Sequence, residues 1–261
     1  MNTRRRSRRG PTTLLTSPAD AKDRDMNLAR LLPLILVLAP ATALASDHAF
    51  VYANNPKAAS YTPDTKYSFN PDDGQVRIKR SGVGTYDVRF DRVLPDQAAG
   101  GNVQVTAYGP GSETCKVASW RSGNGGFSAA VRCFNAQGRP ADTRFCALVT
   151  LPSDDPEGAF AWAGKPNAKS YTADAKYSAG PGGAPMITRR SIGSYSVKFA
   201  KLAGKANAGG HVQVTAYGPG SATCKVARWN MASGALIADV LCFANGRPSD
   251  SMFSILAIGP N

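Results

Sequence analysis

The chain has 261 residues, with 31 Lys and Arg against 18 Asp and Glu, and it contains only two His. It also contains only two Glu, and so few His and Glu argue against an enzyme, because a catalytic cluster could not be built in both halves of the chain. The sequence also lacks a nucleophile elbow, a zinc-protease motif and a phosphate-binding loop. No nucleic-acid-binding signature is present, so nucleic acid is an unlikely partner.

An apolar run at residues 31–45 ends in the small residues that a signal peptidase reads. The run is shorter than the about 20 residues that a spanning helix needs. We interpret residues 1–45 as an N-terminal extension and signal peptide, with a mature start near Ser46 and no transmembrane segment after processing. Met26 is an alternative start, and a twin-arginine signal at Arg8-Arg9 is a second interpretation. The predicted location is secreted, either extracellular or periplasmic.

The mature chain is one sequence repeated. The nine residues VQVTAYGPG at 103–111 recur without change at 212–220. A period this long indicates two complete domains rather than the short units of a solenoid. We predict a first β domain at residues 46–150, an acidic, Pro-containing linker at 151–158 and a second β domain at 159–261.

Within each repeat, apolar and polar residues alternate with the period of a half-buried strand, as in Tyr86, Val88 and Phe90. Further strands of the first repeat are predicted at 50–53, 75–79, 103–107, 114–120, 127–134 and 145–151. No convincing amphipathic helix is present. The expected fold is all-β, with two tandem antiparallel β-sandwich or small-barrel domains.

Four of the five cysteines form two pairs that share a spacing of 18 residues: Cys115 with Cys133, and Cys224 with Cys242. Exported chains oxidise such pairs. If each pair lies across a hairpin, the turns are centred at Asn124 and Ser233, which stand beside glycines suited to tight turns. The spacing therefore predicts a disulfide-stapled hairpin in each domain, with Val117 opposite Val131.

Cys146 is left as a free thiol, because its counterpart in the second repeat is Ser254. A free thiol outside the cytoplasm could form an intermolecular disulfide, and therefore a dimer. The interpretation that we favour is a buried cysteine that packs as a small hydrophobic residue.

His48 suggests a metal site. Cleavage after residue 45 would leave Ser46, Asp47 and His48 at the terminus, where an amine, two amides and an imidazole can bind Cu(II) in a square plane. The alternative is a terminal histidine with no such role. No other cofactor is expected.

Two aspartate pairs occupy equivalent places in the repeats, Asp64 with Asp174 and Asp142 with Asp250. They could serve acid–base chemistry in a hydrolase. The favoured interpretation places Asp142 and Asp250 in Gly-Arg-Pro-x-Asp turns, where they bond to local backbone.

Charge distinguishes the repeats, because residues 46–157 carry 12 basic and 12 acidic side chains, whereas residues 158–261 carry 11 basic and 3 acidic. The positive potential of the second repeat favours an anionic polysaccharide or another envelope component as partner. The alternative is a merely solubilising surface. The candidate ligand-binding residues are rings on the strand face opposite the valines and basic side chains of the second repeat: Tyr108, Tyr217, Lys176, Arg189, Arg190, Lys198, Lys225 and Arg228.

The run GNVQVTAYG at 101–109, followed by CKV, VRCF and GRPAD, resembles tandem-repeat β domains of secreted bacterial proteins of uncharacterised function. This resemblance implies export and a β fold, and it brings no catalytic residues. The sequence therefore predicts a secreted, non-catalytic binding module. A structural or adhesive surface protein is the alternative, and a hydrolase that uses the aspartates is a weaker one.

Overall fold

The computed structural model describes residues 48–93, 100–151, 158–202 and 209–259. Each repeat is a sandwich of two β-sheets around its own buried core, which confirms the all-β prediction in its sandwich form. The predicted signal peptide and most of the linker lie outside the described residues. In the described ranges, no helix has the length and apolar character needed to cross a membrane.

The described part of the first repeat forms two sheets, with strand orders β3-β1-β9-β6 and β2-β4-β5-β8-β7. Its strands are β1 (His48–Ala53), β2 (Ser60–Tyr61), β3 (Ser68–Phe69), β4 (Val76–Gly82), β5 (Thr85–Asp91), β6 (Asn102–Tyr108), β7 (Thr114–Ser122), β8 (Gly126–Phe134) and β9 (Arg144–Thr150). A single 3₁₀ turn at Thr65–Tyr67 leads into β3.

The second repeat follows the same plan, with β10-β18-β14 facing β11-β12-β13-β16-β15. Its strands are β10 (Gly158–Ala163), β11 (Ser170–Thr172), β12 (Met186–Ser191), β13 (Ser194–Ala200), β14 (His211–Tyr217), β15 (Thr223–Ala232), β16 (Ala235–Ala244), β17 (Arg247–Pro248) and β18 (Met252–Ile258). Short β17 pairs with β16.

Both predicted disulfides are present, and each joins residues directly opposite in a hairpin. The Cα atoms of Cys115 and Cys133 are 4.1 Å apart, the spacing of a pair without ladder hydrogen bonds. The main chain of Cys133 bonds instead to Gly84 and Ala141. The predicted pairing of Val117 with Val131 is also confirmed.

The centre of each hairpin turn falls between two residues instead of on the single residue predicted, Asn124 or Ser233. Asn124 and Gly125 form the two-residue loop, both with positive φ, as a type I′ turn requires. The sequence argument missed a β-bulge at Ala118, between Val117 and Ser119, which inserts one residue into β7. The same bulge recurs in β15.

The bulge changes which side chain faces the core. Strict alternation from Val117 would turn Trp120 outward, but the extra residue returns Trp120 to the side of Val117. Its ring stacks on Phe127, with 5.2 Å between ring centroids. The indole therefore closes one end of the first sandwich and can also contact the second repeat.

One strand contact joins the two repeats into an eight-stranded sheet. Strand β14 runs parallel to β7, and the Gly218 amide donates to the Val117 carbonyl at 2.9 Å. Next to this contact, the Thr215 hydroxyl bonds to both the amide and the carbonyl of Val105 on β6. These bonds occupy backbone groups of the β7 and β6 edges, which would otherwise be open to pairing.

Removing Trp120 tests the joint between the repeats. We expect Trp120→Ala to lower the free energy of unfolding by about 2–3 kcal/mol, because the indole packs on Phe127 and on Tyr177. Trp229→Ala is the matched control, since the equivalent Trp229 is 41% exposed, and it should cost about 1 kcal/mol or less. Urea unfolding of both variants measures the difference, and equal losses would contradict the asymmetric joint.

Candidate binding surface

The outer face of sheet β3-β1-β9-β6 in the first repeat carries a row of rings. In β1, Ala49 and Val51 point into the core, so His48, Phe50 and Tyr52 point away from it. Side chains two residues apart on one strand are separated by about 6.6 Å. The three rings therefore extend over about 13 Å along the strand.

We call the whole set of rings on this surface the aromatic face: His48, Phe50, Tyr52, Tyr67, Phe69 and Tyr108. The centroids of Phe50 and Phe69 are 5.8 Å apart, and Tyr52 lies 4.8 Å from Tyr108 and 6.2 Å from Tyr67. Phe50, Tyr67, Phe69 and Tyr108 are each 37–51% exposed. An exposed cluster of large rings marks an interaction site more often than an inert surface.

Two basic side chains border the tyrosines. The Lys66 ammonium lies 5.4 Å from the centre of the Tyr67 ring, and the Arg144 guanidinium lies 5.2 Å from that of Tyr108. Within the described residues neither cation forms an ion pair with a carboxylate. Both cations are therefore available to attract an anionic group at this end of the aromatic face.

A cleft of about 370 Å³ opens beside the tyrosines. Tyr52, Tyr67 and Lys66 line one part of it, and Gln104 of β6 and Gln213 of the second repeat line another. Gln104 is 6% exposed, and its Oε1 has no hydrogen-bond partner among the described residues. A buried carbonyl without a donor is costly, so this edge of the cleft favours a ligand or a water that can donate a hydrogen bond.

In the second repeat, the rings equivalent to Tyr52, Tyr67 and Tyr108 are covered by the first repeat. Trp162, Tyr177 and Tyr217 occupy the places of the three tyrosines in the first repeat. The Tyr177 and Trp120 rings form a T-shaped pair with 5.4 Å between their centroids, and the Tyr217 hydroxyl bonds to the main chain of Trp120. Trp120 of the first repeat thus covers this cluster of three rings in the second repeat. The equivalent cluster of the first repeat stays exposed.

Strands β1 and β10, which are equivalent in the two repeats, also differ in the exposure of their outward-facing rings. Phe160 of β10 is 3% exposed, whereas its equivalent Phe50 is 38% exposed. Phe69 has Ala179 as its counterpart, so the open repeat carries an extra ring. The sheet surface that is more exposed, that of the first repeat, is therefore also the one that carries more aromatic rings.

Only one of the two predicted tyrosines belongs to this surface. Tyr108 is 51% exposed and lies on the aromatic face. Tyr217 is not available on an open surface, because it packs against Trp162 and Trp120, and burial raises the pKa of its hydroxyl. The strand pattern is the same for both residues, so only the packing of the repeats separates them.

The structure places the predicted basic side chains of the second repeat on several elements, and three of the six pair with aspartates. Arg189 binds both carboxylate oxygens of Asp250, and Arg190 and Arg228 both pair with Asp239. The remaining three occupy separate elements: Lys176 in a 3₁₀ turn, Lys198 in β13 and Lys225 in β15. Within the described residues, Asp239 and Asp250 therefore offset part of the positive charge of the second repeat.

Cys146 lies on the aromatic face, in register between Tyr52 and Thr106. It is the described cysteine without a disulfide and is exposed, so the expectation of a buried packing residue is wrong. Partial burial still raises the pKa of its thiol. The four other cysteines pair within the chain, and the structure gives no support to a dimer through Cys146.

The aspartates proposed for a hydrolase are engaged in structural contacts. Asp64 and Asp174 accept hydrogen bonds from amides of the 3₁₀ turns that they precede. Asp142 accepts bonds from Arg80, from the Gly84 amide and from the Tyr86 hydroxyl. The favoured prediction of bonds to local backbone was therefore wrong about the partners, which come from the distant β4–β5 hairpin.

These bonds set the ionisation of the Asp142 carboxyl. The Arg80 guanidinium is the largest cause, and it lowers the pKa of Asp142 to about 2. The equivalent Arg189 lowers the pKa of Asp250 to about 2 in the same way. A carboxylate with this pKa and with its oxygens occupied by donors is poorly suited to general acid or base catalysis near neutral pH.

His48 begins strand β1 and packs against Phe69, with ring centroids 5.8 Å apart. Ser46 and Asp47, which the predicted copper site requires, lie outside the described residues, so that site stays a prediction. In the described part of the chain, no three His, Cys, Asp or Glu side chains gather in a way that could hold a metal ion.

Sequence reasoning missed Phe50, Tyr52, Phe69, Lys66 and Arg144 as surface residues. The alternation in β1 does place Phe50 and Tyr52 opposite the buried alanines, so that part was available. The neighbouring rings come from β3 and from the 3₁₀ turn, whose positions depend on strand pairing. No protein-family model matches this chain, and no curated protein matches it.

Proposed function

We propose that the protein is a secreted, non-catalytic module that binds glycan chains on the aromatic face of the first repeat. The observation that carries the proposal is the row of exposed rings on an open sheet, set against the covered equivalent in the second repeat. Pyranose rings present apolar C–H faces that pack on exposed aromatic rings, and a flat sheet surface accepts an extended chain. The two disulfides support export, because such bonds persist in oxidising compartments.

Lys66 and Arg144 define the expected class of glycan. Both cations lie over tyrosine rings and have no described carboxylate partner. A sugar acid bound on the tyrosines would place its carboxylate within reach of these cations. The proposed ligand is therefore an acidic polysaccharide, and the binding repeat is the first one rather than the more basic second one.

The test is calorimetric titration of the full, disulfide-bonded chain with a uronic-acid oligosaccharide and with a neutral oligosaccharide of equal length. We expect tighter binding of the acidic probe, and a preference that shrinks with added salt because the cations are exposed. Tyr67→Ala and Tyr108→Ala should each weaken binding at least tenfold, a loss of about 1.4 kcal/mol or more. Lys66→Met with Arg144→Met should remove the preference for the acidic probe.

Ile192→Ala is the control, because Ile192 is 61% exposed in a turn of the second repeat. This variant should bind both probes as the unaltered chain does. The proposal fails if neither probe binds, or if the tyrosine variants bind as tightly as the control.

A further inference from the structure

A second pocket lies between the repeats, apart from the rings of the aromatic face. It has a volume of about 250 Å³ and is lined by matching strand segments, residues 105–107 of β6 and residues 214–216 of β14. The first residues of β7 and β15 complete it, so one cysteine of each disulfide lies in its wall. Both repeats therefore build this pocket, and it exists only because they are joined.

Lys116 is the buried cation of this pocket. It is only 4% exposed, and within the described residues it forms no ion pair. Its cross-strand neighbour is Arg132, which has the same charge. The equivalent Lys225 is exposed and rests over the Phe243 ring at 5.5 Å. Burial without a counter-charge is thus a property of Lys116 and not of the repeated motif.

The carboxylate nearest in sequence does not neutralise this lysine. Glu113 also lines the pocket, but its side chain folds back towards Gly111, where its oxygen occupies the space of a Cβ. Neutral hydroxyls of Thr114 and Thr223 line the same pocket. An ammonium, together with hydroxyl donors that can rotate, is a suitable set of groups for an oxyanion.

Burying an ammonium without a partner is costly. Desolvation lowers the pKa of Lys116 to about 8, so the side chain still carries its charge at neutral pH. A small anion would relieve this cost, and the volume of the pocket suits a group of that size rather than a polymer.

We propose that the pocket between the repeats binds one small oxyanion, a carboxylate or a phosphate, through the Lys116 ammonium and the threonine hydroxyls. This site differs from the aromatic face because its cation is Lys116 rather than Lys66 or Arg144, and because its ligand is a small anion rather than a glycan. Bound at the joint, the anion would hold β7 against β14 and so stabilise the contact between the repeats.

The experiment uses the full, disulfide-bonded chain with ¹⁵N-labelled lysine, titrated with inorganic phosphate and, separately, with acetate at constant ionic strength. We expect a saturable shift of the Lys116 signal at pH 6.5. The affinity should weaken at least tenfold by pH 9.5, because the ammonium loses its proton as the pH rises through about 8. The probe that binds more tightly identifies the class of anion.

Calorimetry of variants completes the test. Lys116→Met should abolish binding, Lys225→Met should leave it unchanged, and Glu113→Gln should strengthen it by removing a nearby negative charge. Tyr67→Ala should bind the anion as tightly as the unaltered chain, because Tyr67 lies outside this pocket. The anion site is therefore tested independently of the glycan proposal. The inference is overturned if neither anion shifts the Lys116 signal, or if Lys116→Met binds as well as Lys225→Met.

Discussion

Asp142→Ala is expected to lower the free energy of unfolding by about 3 kcal/mol at pH 7. The variant removes a carboxylate that receives two bonds from Arg80, at 2.9 and 2.8 Å, one from the Gly84 amide at 2.8 Å and one from Tyr86 at 3.1 Å. It leaves these donors with poor access to water. The pair is partly buried, with the side chains of Arg80 and Asp142 25% and 13% exposed, so the expected loss lies at the lower end of the about 3–5 kcal/mol that breaking a buried pair from one side costs.

The cost is high because this contact joins segments that are far apart in sequence. The Gly84 turn closes the β4–β5 hairpin, whereas Asp142 lies on the connection between β8 and β9. A Cβ at Gly84 would lie 2.4 Å from the Cys133 carbonyl, so only glycine permits this approach, and its φ of 61° also favours glycine. Asp142 thus fastens the turn of the β4–β5 hairpin to the connection that follows β8, near the Cys115–Cys133 disulfide.

Chemical denaturation of Asp142→Ala and of the equivalent Asp250→Ala measures the effect. Asp87→Ala is the control, because Asp87 is 42% exposed and lies 3.9 Å from Arg121, a surface pair worth at most about 1 kcal/mol. Losses for Asp142→Ala no larger than for this control would refute the structural role.

The same contact predicts a dependence on acid. The folded pKa of Asp142 is about 2, below the ordinary value of 3.8, so the folded state binds fewer protons than the unfolded state between these values. The stabilisation is therefore complete above pH 4 and is lost as the pH falls towards 2. It amounts to about 2 kcal/mol for this carboxylate, and Asp142→Ala should lose correspondingly less stability than the unaltered chain over this range.

Removing one disulfide is the second large effect. Cys115→Ala with Cys133→Ala should lower the free energy of unfolding by about 3 kcal/mol, because the bridge closes a loop of 18 residues in the unfolded chain. The second disulfide closes a loop of the same length, so its removal should cost a similar amount. The two losses serve as internal controls for each other.

Unfolding in urea without reductant, monitored by tryptophan fluorescence, measures both losses. Cys146→Ala is the reference variant, since Cys146 has no disulfide, and it should leave the midpoint nearly unchanged. A loss below about 1 kcal/mol for either disulfide would show that the paired hairpin strands do not need the bridge.

Each outcome of sequence reasoning has an identifiable physical reason. Identical cysteine spacing, glycines at the midpoint and period-two alternation are local signals, and they were sufficient for the hairpins and for the pairing of Val117 with Val131. The bulge at Ala118 left no such signal. It inserts one residue and turns Trp120 towards the core, and no property of alanine distinguishes a bulged position from a paired one.

The aromatic face gives the clearest example of a feature that the local sequence cannot predict and that the packing of the repeats decides. Tyr108 and Tyr217 stand in identical nine-residue segments, so no local argument can assign them different environments. The difference arises because Trp120 of the first repeat packs against Tyr177 and Tyr217 of the second, while no ring from the described part of the second repeat covers Tyr67 and Tyr108. Net charge likewise cannot show that Asp239 and Asp250 engage three arginines of the second repeat, because these ion pairs depend on how the strands pair.

The sequence by itself determined the repeat, the alternating strands, the disulfides and the cross-strand pairing next to each disulfide, because each depends on spacing within one short segment. Only the tertiary structure decided which ring cluster stays open, which lysine is buried and which carboxylates serve as structural contacts. Those outcomes depend on contacts between segments up to a repeat apart, and two nearly identical segments acquire different neighbours when one repeat packs on the other.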